Sequence, residues 1–299
     1  MRAWLQLLRA PNLFTVPGDP LAGMMLALAV MPGAGFSLSR ALAVAAAGLL
    51  LYSGGLIQND LCDLAEDRRE RPSRPLPIGA ISKTAAVIAA ILLPLSALGA
   101  ASLAGGAALV IAAVLACAIL LYNLLTKPIA VIGPLNMGAC RGLNLLLGAA
   151  ALGWQAVAEP AVHVSGGFML AYIAAVTQIA RVETRAVRVG SLRLLPALVL
   201  VLWFLSLNLL VHPADLPPVI GANVLALLTV VWSVSCTAKL KATASPPVVQ
   251  EAVGLLIRGL LLIQAALAAM LVRPGFIVTA VLLAFWPVQA KLARRFYSS

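Results

Sequence analysis

The 299-residue chain holds ten carboxylates, and five of them (Asp60, Asp63, Glu66, Asp67 and Glu70) fall within eleven consecutive positions. A helix advances about 100° per residue, so with Asn59 as origin Asp63 falls near 40°, Asp67 near 80° and Asp60 near 100°. Glu66 and Glu70 fall at about −20° and +20°, which puts six polar residues on one arc of about 120°. Leu61, Cys62 and Ala65 face elsewhere. Like charges on adjacent turns repel, so the stripe calls for a cation. Oxygen ligands suit Mg²⁺, which keeps several waters and commonly bridges one or two carboxylates to phosphate. Immediately downstream stand Arg68, Arg69, Arg71 and Arg74, then Pro75-Leu76-Pro77-Ile78-Gly79. Guanidinium groups bind phosphate oxygens in pairs. Carboxylates for metal beside arginines for phosphate point to a metal–diphosphate site. The plainer alternative is a solvated, self-paired helix end, and the scarcity of carboxylates elsewhere weighs against it.

The elements that must position this cluster are set by solvent. Hydrophobic residues make up 62% of the chain and charged residues 10%, against roughly a quarter charged in an ordinary soluble domain. Such a chain needs bilayer as its outer solvent. Crossing a core of about 30 Å takes about 20 apolar helical residues. Stretches of that kind recur over 12–32, 40–60, 84–104, 107–125, 136–155, 162–181, 192–212, 218–237, 252–271 and 275–290. They are apolar all round, without the two-residue alternation of barrel strands. The expectation is an all-α integral membrane protein of nine or ten spans. Arg258 interrupts the ninth stretch and the tenth is short. No long polar stretch marks a second module, so residues 1–299 read as one membrane domain. The opening MRAWLQLLRA lacks a small-residue cleavage site and reads as an amphipathic helix at the interface over about 1–11.

Lysine and arginine set the orientation. With the N-terminus in the cytoplasm, seventeen of the 21 cationic residues lie on that side. Arg40 and Arg273 lie outside, while Arg141 and Arg258 sit within helices. The acidic stripe then falls at the cytoplasmic end of the second span. The net charge of +11 reads as topology and affinity for anionic membrane lipid. No basic face with interleaved aromatics suggests nucleic acid. Cys62, Cys117, Cys140 and Cys236 show no zinc spacing and read as packing residues. His163 and His212 read as interfacial anchors.

The segment Asn59-Asp60-Leu61-Cys62-Asp63-Leu64-Ala65-Glu66-Asp67 resembles the NDxxDxxxD motif of the UbiA superfamily of intramembrane prenyltransferases. Arg71-Pro72-Ser73-Arg74-Pro75-Leu76-Pro77-Ile78-Gly79 is similar to the RPxRPLPxG that follows it there. Arg9-Ala10-Pro11-Asn12 resembles that family's opening, and Tyr122 to Lys127 its Tyr…Lys in the second cytoplasmic loop. The resemblance implies a UbiA-type helical bundle around a central cavity, acting on a prenyl diphosphate with Mg²⁺ and passing the allylic group to an acceptor. Carried over, Asn59, Asp63 and Asp67 would ligate metal, with Asp63 and Asp67 catalytic. Arg68, Arg74 and Lys127 would hold diphosphate beside Tyr122, and Asn12 would line the acceptor end. The motif segments would be about 59–83, 122–135 and 177–193, on the cytoplasmic side of a bacterial-type inner membrane.

One departure matters. The family's second acidic motif, roughly DxxxD, corresponds here to 177–188, which holds a single carboxylate, Glu183, among Arg181, Arg185 and Arg188. This Arg-x-Glu pattern and the Arg-Ala-Pro-Asn-Leu-Phe-Thr opening resemble the EboC-like branch, associated with small operons for metabolite processing or export. Either Glu183 holds a second ion and serves catalysis, or arginines such as Arg181 replace that ion as a phosphate clamp. Otherwise chemistry is lost and the site binds a phosphorylated lipid without turnover.

Several polar residues sit inside the expected spans: Asn136, Arg141, Asn144, Asn208 and Arg258. Intramembrane residues of this kind face a bundle interior or cavity. Arg141 could reach substrate or make a helix–helix hydrogen bond. Gly138 and Gly142 have the GxxxG spacing that permits close helix approach. Asp19, flanked by Pro17-Gly18 and Pro20, marks a break in the first span and either faces the cavity or caps the broken turn. A CDP-alcohol phosphotransferase would need a DGxxAR arrangement that is missing. A secondary transporter would show paired broken helices in an internal repeat, and none is seen.

Overall fold

The computed structural model describes residues 2–31, 33–181, 187–211, 216–241, 243–271 and 273–296. The chain opens with two short helices, α1 (Arg2–Leu7) and α2 (Ala10–Leu13), where one interfacial helix over about 1–11 was expected. The break is at Arg9, whose φ of 47° is left-handed, a conformation that costs a residue with a Cβ and persists only where surroundings enforce it. The first span continues as α3 (Gly18–Val30). Pro17 and Pro20 lack the N–H that would continue the helical ladder, so residues 14–17 are a turn between α2 and α3.

The second span, α4 (Leu38–Cys62), runs almost without interruption into α5 (Leu64–Glu70). Asp63 N–H donates to Asn59 O at 2.9 Å and Asp67 N–H to Asp63 O at 2.8 Å. The RPLPIG turn follows, and Ser82 caps α6 (Lys83–Ala104) by accepting from Ala85 N–H at 3.2 Å. Gly105, with φ 127°, turns the chain directly into α7 (Gly106–Leu121), which ends in a π turn over Tyr122–Thr126. Then come α8 (Ile132–Ala150), the short α9 (Trp154–Ala158), α10 (Pro160–Ala180), α11 (Leu195–Leu210), α12 (Leu216–Thr237), α13 (Pro246–Ala268) and α14 (Gly275–Phe296). A two-residue antiparallel pair, β1 (Val187–Arg188) with β2 (Thr243–Ala244), is the sole sheet among the described residues. Most neighbouring helices in sequence pack side by side, and α13 closes the bundle against α3.

Among the described residues nine helices are long and apolar enough to cross a bilayer. The helix α8 has the length but not the apolarity. Its Asn136, Arg141 and Asn144 are all buried, so its polar face is hidden by protein rather than offered to lipid. Large apolar side chains such as Leu92, Leu95, Val110, Leu205 and Leu227 are exposed instead on α6, α7, α11 and α12, as lipid-facing helices require. Buried ring donors are satisfied across helices, since hydrocarbon offers no partner. Tyr172 donates to Leu256 O at 2.9 Å and Trp203 Nε1 to Ser165 Oγ at 3.0 Å.

The helix α8 is gripped on two sides through glycine. A Cβ at Gly138 would stand 2.2 Å from Leu170 O, and one at Gly142 would stand 2.5 Å from Gly166 O, both on α10. On the other flank, a Cβ at Gly148 would meet Pro20 O at 1.7 Å. Backbone carbonyls cannot yield as a flexible side chain would. Gly142→Ala and Gly148→Ala are therefore each expected to lose about 1–3 kcal/mol through overpacking. Gly99→Ala, with nothing within 4 Å, should be neutral or gain about 0.5–1 kcal/mol from helix propensity. Thermal unfolding in detergent micelles ranks the three, and a Gly99→Ala protein less stable than Gly148→Ala contradicts the close approach.

Candidate active site

The acidic stripe sits at the junction of α4 and α5, and only half of its arc is covered. Asp67 is 1% exposed and Asp60 6% exposed, with Asn59 also buried, while Glu66 and Glu70 are exposed. Asn59, on the same side of the arc as the glutamates, is covered on α4, whereas Glu66 and Glu70 lie about two and three turns further on, on α5. Helical spacing sets the width of such a stripe but not how far along the helix the rest of the protein covers it.

Each covered carboxylate meets a cation. Arg74 Nη1 donates to Asp67 Oδ2 at 2.8 Å and lies 3.8 Å from Asp60 Oδ1. Arg9 Nη2 stands 3.7 Å from Asp60 Oδ1, and Arg71 Nη1 3.8 Å from Asp67 Oδ1. The Lys127 ammonium donates to Asn59 Oδ1 at 3.0 Å and forms a close ion pair with Asp63 Oδ2. Asn59 Nδ2 in turn donates to Asp63 Oδ2 at 3.1 Å. Three carboxylates thus face four cations. The left-handed turn at Arg9 bends the chain at the residue whose guanidinium reaches Asp60.

Lys127 comes from another part of the chain, and the π turn accounts for its reach. Its N–H donates to Tyr122 O at 3.1 Å, one residue further back than an α-helix allows. That extra residue rotates the end of α7 toward α4, as π turns do at functional sites. Asn123 Nδ2 pins the turn to Gly55 O at 3.0 Å, and Asn136 of α8 bonds Thr126 Oγ1 at 2.8 Å. Arg181, at the end of α10, closes over the following loop. Its Nη1 donates to Lys127 O and Ile129 O, both at 3.3 Å, and its Nη2 to Pro128 O at 3.2 Å.

The structure therefore gathers Asn59, Asp63, Asp67, Arg74 and Lys127 of the expected set into one cluster. Tyr122 opens the π turn, and its carbonyl accepts from Lys127 N–H at 3.1 Å. Arg181 spends its guanidinium on loop carbonyls, which makes it a positioning residue for Lys127. Arg68 is exposed and forms no ion pair with the cluster among the described residues, because it follows Asp67 by about 100° around the helix. Asn12 lies within α2, and its carbonyl accepts from Thr15 Oγ1 at 2.9 Å. Arg141 sits elsewhere, on α8, with Asp19 and Thr15. Glu183 lies outside the described residues. Sequence reasoning missed Arg9 and Asp60 as members of the site. Asp60 was legible in the arc, whereas Arg9 is far from it in sequence and depends on an unusual backbone turn.

Residues 21–246 match the UbiA prenyltransferase family. The chain belongs to that family. Over 144 residues it is 29% identical to a digeranylgeranylglyceryl phosphate synthase of Methanothrix thermoacetophila, covering 48% of this chain and 52% of that protein. The chain spans about half the length of the curated relatives it matches. A UbiA homolog from Aeropyrum pernix K1 superposes with a TM-score of 0.66 at 18% identity, over 85% of this chain and 96% of that one. A UbiA homolog from Archaeoglobus fulgidus bound to GPP and Mg²⁺ gives 0.59 at 14% identity, over 96% and 99%. At such identities these two likenesses speak for the UbiA fold.

Among the described residues no three Asp, Glu, His or Cys side chains stand close enough to hold a metal ion by themselves. The oxygens present nonetheless fit Mg²⁺. Asn59 Oδ1 and Asp63 Oδ2 already converge on one positive charge, the Lys127 ammonium. Mg²⁺ needs only one or two protein carboxylates when waters and phosphate oxygens complete its shell.

Removing one partner of a buried ion pair leaves an uncompensated charge, which is costlier than removing both. With Asp67 buried and Arg74 partly exposed, Arg74→Met should cost about 2–3 kcal/mol. Asp67→Asn combined with Arg74→Met should recover at least half of that loss. A double-mutant cycle from chemical unfolding in micelles checks this, and strictly additive losses would count against the pairing.

Proposed function

We propose that this UbiA-family chain transfers a prenyl group from a prenyl diphosphate to an acceptor in a Mg²⁺-dependent reaction. The observation carrying the reading is the convergence of Asn59 Oδ1 and Asp63 Oδ2 on one cation, with Arg9, Arg71 and Arg74 paired to the neighbouring Asp60 and Asp67. Charge supports it too. Three carboxylates against four cations leave the cluster with one positive charge. A diphosphate ester carries about three negative charges near neutral pH, so with one Mg²⁺ it becomes about a monoanion. The cluster and its ligand are then complementary with a single ion, which suits a chain whose second acidic motif is reduced to Glu183.

In this reading Asn59 and Asp63 hold the metal, which when bound neutralises the diphosphate and stabilises its departure. Lys127, Arg74 and Arg71 donate to phosphate oxygens as negative charge grows on the leaving group, the kind of preorganised stabilisation that lowers such barriers most. Asp67 keeps Arg74 and Arg71 in place, and Arg181 keeps the Lys127 loop in place. The C1–O bond breaks with its electron pair leaving on the diphosphate. A nucleophilic atom of the acceptor then attacks C1 and loses its proton. Glu183 is a further candidate for this site. The distribution of Lys and Arg supports a cytoplasmic N-terminus and a site on the cytoplasmic side of a bacterial-type inner membrane. One relative's name refers to a glyceryl phosphate product, so a glyceryl phosphate lipid belongs among the acceptors to be offered.

A second reading, Mg²⁺-dependent binding of a phosphorylated lipid without turnover, is favoured by the same reduced motif, and one assay separates the two. Labelled prenyl diphosphates of several lengths are offered in nanodiscs, with and without Mg²⁺, and both diphosphate release and transfer are recorded. Mg²⁺-dependent release, lowered about 100-fold or more by Asp63→Asn, is the expected result. Tight Mg²⁺-dependent binding with no release at any chain length would leave the binder as the answer.

A further inference from the structure

A second charged cluster lies inside the bundle, away from the acidic stripe. Asp19 of α3 is 0% exposed. Its Oδ2 accepts from Asn144 Nδ2 at 3.0 Å and faces Arg141 Nε at 3.1 Å, both on α8. Its Oδ1 accepts from Gln264 Nε2 of α13 at 2.6 Å. The same groups serve the break in the first span. With Pro20 unable to donate, Val16 O accepts from Asn144 Nδ2 at 3.0 Å. Thr15 O accepts from Gln264 Nε2 at 2.6 Å and from Arg141 Nη2 at 3.4 Å. Broken backbone at membrane depth survives only where protein or a cavity satisfies it, and here three polar side chains do so.

The amide N–H donors of Gln264 and Asn144 are committed. Their amide oxygens have no hydrogen bond and rest against glycine, so a Cβ at Gly18 would meet Gln264 Oε1 at 2.1 Å and one at Gly48 would meet Asn144 Oδ1 at 2.4 Å. Arg141 is not fully committed. A guanidinium has five N–H donors. Those of Nη2 reach Thr15, and Nε is closed over beside Asp19 without a well-aligned bond. Those of Nη1 have no partner among the described residues, yet this nitrogen is not among the closed-over atoms. Part of the 10% of the side chain that stays exposed therefore belongs to Nη1. An arginine nine-tenths buried with its outer edge unused is expensive unless something binds there.

Charge decides what binds. Asp19 already balances Arg141, so a second anion would leave net negative charge in a low-dielectric interior. A neutral oxygen accepting two N–H bonds adds none. Arg141 lies five residues beyond Asn136, about 8 Å deeper along α8 than the contact with Thr126 beside Lys127. We propose that the open edge of Arg141 recognises an uncharged carbonyl or hydroxyl oxygen of the acceptor, and that Asp19 makes this subsite reject carboxylates. The proposal rests on the prenyl-transfer reading for calling the ligand an acceptor, but the binding itself is separable.

The probes are a matched pair, 4-hydroxyacetophenone and 4-hydroxybenzoate, with affinities measured by calorimetry on nanodisc-embedded protein without prenyl diphosphate. Wild type should bind the ketone at least tenfold more tightly than the carboxylate. Asp19→Asn unmasks the arginine charge and should shift that ratio at least tenfold toward the carboxylate. Because both proteins share one membrane, partitioning cancels from the comparison. Asp19→Asn with Arg141→Gln leaves no unpaired charge, keeps the fold testable by thermal unfolding, and should weaken the ketone at least fivefold. An unchanged ratio in Asp19→Asn, or unchanged ketone affinity in the double variant, overturns the proposal, since a purely structural cluster would move neither. Diphosphate release by wild type in the same discs reports separately on prenyl transfer, so failure of one reading is not mistaken for failure of the other.

Discussion

A carboxylate at the edge of a hydrocarbon layer is tolerable only when something positive meets it, and that constraint organises the end of the bundle that carries the acidic stripe. Asp60, Asp63 and Asp67 are each met by a different part of the chain: the N-terminal turn at Arg9, the RPxRP segment at Arg71 and Arg74, and the α7–α8 connection at Lys127. Segments remote in sequence are thereby drawn to one point. The ion pairs are partly exposed on their cationic side, so they hold the cluster together without locking it. The proposed prenyl transfer, in which a metal and a phosphate displace protein cations, calls for that looseness.

The same rule, applied deeper, governs the bundle interior. The proline-broken first span exposes carbonyls that water would satisfy in a soluble protein. Here α8 and α13 supply the donors, and glycines on α8 let neighbouring backbones come close enough for those donors to reach. The polarity of α8, which is less apolar than the nine helices able to span a bilayer among the described residues, is thus the reason it lies inside. Lipid-facing helices carry the apolar surface on its behalf.

Much of this was legible in the residues. Apolar stretches near 20 residues located the spans, and the concentration of half the carboxylates in eleven positions located the site. What was not legible depends on contacts that no local pattern encodes. Helical spacing made Glu66 and Glu70 look like members of the stripe, and only the packing along the helix decides where its cover ends. Arg68 resembled a phosphate ligand by proximity in sequence, yet one residue's rotation carries it outward. Arg181 looked like a clamp for phosphate, and its guanidinium also holds the carbonyls of the loop that presents Lys127. Asp19 was left between cavity and cap, and it faces Arg141 while sharing the donors that cap the broken turn.

The π turn at Tyr122–Thr126 has a meaning for how this family's sequences can vary. A π turn is an α-helix with one residue inserted, so the register of Lys127 against Asn59 is stored as a count of residues rather than as the identity of any one of them. Many side chains in the turn could change without harm to that count. Winding the same five residues as ordinary helix, with none removed, would carry the lysine about 100° around the axis, away from the oxygens it now bridges. The looser winding at the end of α7 is, in that sense, part of the geometry of the site.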